Sequence, residues 1–141
     1  MIQRIQTLHL LFVLIFTLIA LFFPPFLLYP DGGAVEYHFA DLHHMNLLVW
    51  AIFGLSLVAI FLFKNRKMQM KLLRLASLFT LGWIVWFAAE LLMLNSSLEP
   101  GTSLDPELSA LLPVLTLFAL LLAVRGVRRD EELVRSADRL R

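Results

Sequence analysis

Four runs of nearly unbroken apolar residues, at 8–28, 45–63, 72–94 and 108–124, occupy most of a chain of 141 residues. About 20 apolar residues rising 1.5 Å each cross a hydrocarbon layer about 30 Å thick. In that layer backbone amides find no water, so a helix, which pairs them internally, is the form such a run takes. Composition agrees, because 60% hydrophobic and 16% charged residues, with mean hydropathy +0.80, exceed what a soluble domain of this size needs for its core. The sequence therefore predicts an all-α polytopic membrane protein: four transmembrane helices in an antiparallel bundle plus a C-terminal amphipathic cytoplasmic helix. Residues 1–124 form the membrane domain and 125–141 the charged helix.

All twelve bases fall in three places: Arg4, then Lys64, Arg66, Lys67, Lys71 and Arg74 between runs two and three, then six arginines from Arg125 onward. The other two loops carry no base and hold Asp31, Glu36, Asp41, Glu99, Asp105 and Glu107. By the rule that basic loops stay on the cytoplasmic side, both termini are inside and both acidic loops outside. Tyr29, Tyr37 and Trp50 lie near the outer boundary, where amphipathic rings anchor. The first run follows Arg4 as a signal peptide would. It is too long for one, however, and no small-x-small cleavage site precedes Pro24, so it reads as a retained span. Pro24 and Pro25 end or bend its helix. The fourth run opens on Asp105 as N-cap, Pro106 in the first turn and Glu107 at the positive helix end, with Pro113 inside.

In the tail, Leu133, Ala137 and Leu140 share a helical face, and Arg128 with Glu132 and Glu131 with Arg135 are pairs at i, i+4. Gly126 offers a hinge between this helix and span four. The helix either prolongs the span, folds down onto anionic lipid headgroups, or stays solvated; Arg128, Arg129, Arg135 and Arg139 are its candidate partner-binding residues.

The opening Met1-Ile2-Gln3-Arg4-Ile5-Gln6-Thr7 and the closing Arg129-Asp130-Glu131-Glu132-Leu133-Val134-Arg135-Ser136-Ala137-Asp138-Arg139-Leu140-Arg141 resemble a family of small bacterial four-span proteins catalogued as domain of unknown function 4293. The resemblance implies the same four-span architecture and a bacterial inner membrane with periplasmic acidic loops. It brings no known activity, cofactor or catalytic residue.

Chemistry is constrained as much by what is missing. With no cysteine there is no disulfide, no thiolate metal site and no lipid-modified cysteine, which excludes the thiol chemistry of four-helix quinone-linked disulfide oxidoreductases. His-Glu-x-x-His, Gly-x-Ser-x-Gly and phosphate-loop motifs do not occur, so no enzyme is expected. Within run three, Thr80, Trp83, Trp86 and Glu90 recur every three or four residues and form one helical stripe. A stripe of this kind knits membrane helices together; Trp83, Trp86 and Glu90 are also the candidate residues for a lipid headgroup, quinone or proton site. The outer segment offers His38, Asp41, His43 and His44 as metal ligands. Asp41 and His44 lie one turn apart, but His43 points elsewhere, and interfacial histidines with an Asp N-cap account for all four without a metal. His9 is separated from the outer histidines by nearly the whole membrane thickness, which excludes one haem shared between them. The basic inner loop sets topology and draws anionic lipid headgroups. These features predict no cofactor and no nucleic acid. They predict a non-enzymatic accessory or scaffold subunit of a larger bacterial inner-membrane complex, respiratory or secretory, with other membrane subunits as partners. The alternatives are a small oligomeric transporter or channel, and a quinone- or lipid-handling protein using Glu90.

Overall fold

Residues 2–29, 35–37, 43–97 and 103–138 are described by a computed structural model. Four helices dominate it: α1 Ile2–Phe22, α2 His43–Phe61, α3 Arg66–Ser97 and α4 Leu112–Asp138. Helix α1 packs on α2 and α4, α2 on α3, and α3 on α4, so the four close into a ring.

The buried positions follow a repeat. In α1 they are Gln6, Leu10, Val13, Thr17 and Ala20; in α2, Met45, Val49, Ile52, Ser56 and Ala59. Helix α3 buries Leu73, Ala76, Thr80, Trp83 and Phe87, and α4 buries Leu112, Thr116, Leu120, Ala123 and Val127. Steps of three and four average about 3.5 residues, the spacing that keeps one seam facing its neighbours along shallowly crossed helices. Many seam residues are Ala, Ser or Thr, which let backbones approach; Thr17 and Thr80 turn their hydroxyls back to the carbonyls of Val13 and Ala76, at 2.9 and 2.8 Å. Bulk points outward instead: Phe12, Phe22, Leu47, Phe61, Leu78, Val85, Leu92 and Phe118 are exposed. Such continuous apolar surface is unstable against water and natural against lipid.

Two helices are long and apolar enough to cross a membrane, α3 over Arg66–Ser96 and α4 together with its leading turn over Leu108–Val134. Only 17% of the most apolar stretch of α3 and 39% of that of α4 is buried, whereas the core helix of a soluble protein would be mostly covered. The apolar parts of the other two, Gln6–Phe22 and Met45–Phe61, are shorter.

The helical class is as expected; the end of the ring where α1 stops and α4 starts adds a small antiparallel sheet that was not. Pro24 and Pro25 stop α1 at Phe22, and the last residues of the first apolar run become strand β1, Phe26–Tyr29. It lies between β2, Val35–Tyr37, and β3, Ser103–Pro106, with Leu27 opposite both Glu36 and Asp105. Asp105 and Pro106 are therefore strand residues and do not cap a helix. The pairing is extended by the Glu107 amide, which donates to the Pro25 carbonyl at 3.0 Å, and by the Ser109 hydroxyl, which donates to the Pro24 carbonyl. A 3-10 turn, Leu108–Leu111, then leads into α4, and Pro113 falls in the first turn of that helix, where a missing amide hydrogen is harmless. Phe26 is fully buried and stacks on Phe87 of α3 with ring centroids 6.4 Å apart, fastening the sheet over the ring. At the opposite end α4 runs unbroken through Gly126 to Asp138.

Candidate functional site

Helix α3 divides the predicted stripe between two environments. Thr80 and Trp83 are fully buried in the ring, whereas Trp86 is 47% exposed and Glu90 half-buried. Trp86 and Glu90 line a shallow outward groove with Leu78, Leu81, Gly82, Val85, Ala89 and Met93, all from α3. The space over Gly82 is open, since a Cβ there would meet no atom within 4 Å. Glu90 stands about 4.5 Å along the axis beyond Phe87, at the level of the capping sheet. The structure thus joins Trp86 and Glu90 and turns Trp83 away from them.

The base-rich end is built by contacts between segments far apart in sequence. Asn65 caps α3, its Oδ1 accepting from the Met68 amide at 3.2 Å, and the buried Gln69 Nε2 donates to the Ala59 carbonyl at 3.1 Å, holding the end of α2. Arg66 and Asp130 form an ion pair at 3.1 Å, with side chains only 27% and 14% exposed. This pair ties the start of α3 to the far part of α4. One turn earlier on α4, Gly126 lies against α1: a Cβ there would stand 2.9 Å from Gln6 Cγ, so glycine permits the close approach of the two helices. The position expected to bend is a packing contact. Arg128 Nε donates to Glu132 Oε1 at 3.2 Å, as the i, i+4 spacing predicts, on an exposed face where such a pair contributes little.

Of the candidate partner-binding arginines, Arg128 and Arg129 are exposed on α4 and Arg135 lies on the same helix, while Arg139 falls outside the described residues. His43 and His44 open α2, their side chains outside the description, and His38 and Asp41 fall outside the described residues altogether. Among the described residues no three ligating side chains gather as a metal site would require.

Sequence reasoning missed Gln6, Gln69 and the Arg66–Asp130 pair. Gln6 heads the series Leu10, Val13, Thr17 and Ala20 at the same spacing, but only packing marks that series as the buried one. The pair left no signal in the sequence, because 64 residues separate its members.

A family model described as "Domain of unknown function (DUF4293)" matches residues 2–140. No curated protein and no solved structure matches the chain.

Proposed function

This chain belongs to the DUF4293 family, and from that membership and the geometry above we propose that it is a non-enzymatic accessory subunit of a larger bacterial inner-membrane assembly, respiratory or secretory in kind. In this reading all four helices span the bilayer as an antiparallel bundle, with both termini in the cytoplasm and the capping sheet on the periplasmic side. Helix α1, with 21 residues, extends about 31 Å and α2, with 19, about 28 Å, close to a hydrocarbon layer of about 30 Å. The base-free outer loops give the orientation.

One observation carries the accessory role: α4 runs unbroken to Asp138, and its basic end, where Arg128 and Arg129 are exposed, is pinned to α3 by the Arg66–Asp130 pair. A helix held in a fixed direction presents Arg128 and Arg129 to a neighbouring subunit without the entropic cost of ordering a loose tail. Conduction through one chain is disfavoured, because Val13, Val49, Ile52, Leu73, Trp83 and Leu120 are fully buried among the helices. Purification at native abundance in mild detergent tests the proposal. A partner protein should accompany the wild-type chain and be lost from the Arg128→Glu/Arg129→Glu variant; a chain that elutes alone in both cases overturns it.

A further inference from the structure

Helix α3 begins at Arg66, well before its apolar run, and this brings polar and apolar residues into one register. Lys67, Lys71, Arg74, Leu78, Gly82 and Val85 succeed one another at steps of three or four, so they share a single flank of the helix. Lys67, Lys71 and Arg74 are exposed, and among the described residues neither lysine has an ion-pair partner. Arg66, on the adjoining face, is already engaged by Asp130, so no carboxylate of that pair is left for them. Leu78, Gly82 and Val85 form the near end of the outward groove, one turn beyond Arg74.

We propose that this flank binds one anionic phospholipid of the cytoplasmic leaflet, its phosphate between Lys67, Lys71 and Arg74 and one acyl chain lying in the groove across Gly82. The inference rests on the four-span reading. Charge complementarity selects the ligand: three bases beside the near, apolar end of a shallow groove match a phosphate joined to a hydrocarbon tail, whereas a transmembrane helix would leave the bases without counter-charge. From Arg74 to Val85 the axis rises about 16 Å, near half the hydrocarbon thickness, which is the depth one acyl chain occupies. The missing side chain at Gly82 gives the tail its bed.

Native mass spectrometry of the full-length chain, equilibrated in nanodiscs containing equal phosphatidylglycerol and phosphatidylcholine and released into mild detergent, tests the site. One phosphatidylglycerol per chain should be retained in preference to phosphatidylcholine. Retention should fall at least about tenfold in Lys67→Gln/Lys71→Gln/Arg74→Gln, given the per-base attraction to anionic lipid. It should also fall in Gly82→Leu, which blocks the tail and leaves every charge in place, and stay unchanged in Arg128→Gln/Arg129→Gln. Equal retention of the two lipids overturns the proposal, as does full retention by the triple variant. A loss in the triple variant without any loss in Gly82→Leu overturns it too, in favour of diffuse surface attraction. Should the triple variant misfold by circular dichroism, Lys71→Gln and Gly82→Leu carry the same test. Release of the wild-type chain from membranes by alkaline carbonate, by contrast, would sink the membrane reading itself.

Discussion

Gly126 and Gly54 sit in helix interiors, yet a methyl group added to each should act in opposite directions. Alanine exceeds glycine in helix propensity by about 1 kcal/mol, and at Gly54 nothing lies within 4 Å of the new Cβ. Gly54→Ala should therefore stabilise the protein. At Gly126 the added atom meets Gln6 Cγ at 2.9 Å, and overpacking of this kind costs about 1–3 kcal/mol, so Gly126→Ala should destabilise. In a Gln6→Ala background the obstacle is gone and the sign should reverse; thermal unfolding of the four proteins in one detergent measures it. The two ion pairs of α4 are separated by burial in the same way. Asp130→Asn leaves Arg66 partly buried without its counter-charge and should cost about 1–3 kcal/mol. Glu132→Gln, on a face where both partners are mostly exposed, should cost less than about 0.5 kcal/mol. Equal losses from the two substitutions would show that the Arg66–Asp130 contact does not lock α3 to α4.

At the scale of elements, the continuity of α4 makes a further prediction. Gly126→Pro removes an amide hydrogen and crowds the preceding turn, at about 3 kcal/mol or more, which should detach the far part of α4 from α3 and α1. The chain contains no cysteine, so spin labels at Met68→Cys and Glu131→Cys report this directly: a single narrow distance in the parent, a broad longer one in the proline variant. An unchanged distribution would mean that this region of α4 is held by contacts other than its own helix. Four apolar runs were enough to locate four helices, because length and hydropathy act on each run separately. The face each helix buries was not legible, since lipid makes the outward face apolar too and leaves only a contrast of size, Ala20 inside against Phe22 outside. Phe26 to Leu28 were read as the end of a span because most of β1 is as apolar as the helix before it. The flank of α3 was hidden for a related reason: residues 66–71 look like a solvated loop, and only their helical continuation puts Lys67 and Lys71 in line with Leu78. Trp83 and Trp86 fit one stripe by spacing, and three-dimensional packing alone sends the first inward and the second outward.

For the whole molecule, the proposed orientation follows from an asymmetry between the two ends of the ring. One end is closed by the sheet and carries Asp105 and Glu107; the other carries Lys67, Lys71 and Arg74 from α3 and Arg125, Arg128 and Arg129 from α4. Bases in short loops hold their segments on the side where the chain is made, whereas acids contribute little to orientation, so the basic end stays inside. The exposed positions Glu107 and Lys67 read this out, again on a background free of cysteine. Glu107→Cys in intact cells with a permeabilised outer membrane should react with a membrane-impermeant maleimide, and Lys67→Cys should react only after the inner membrane is opened. Two internal controls follow from the architecture. Both sites lie on exposed parts of the described structure, so failure of Lys67→Cys to label in intact cells reflects the membrane and not burial, and labelling after lysis verifies it. If the two cysteines label together in intact cells, no bilayer separates the ends of the ring. The apolar flanks of α1 to α4 would then have to be covered by protein, and the chain would be the core of a soluble assembly.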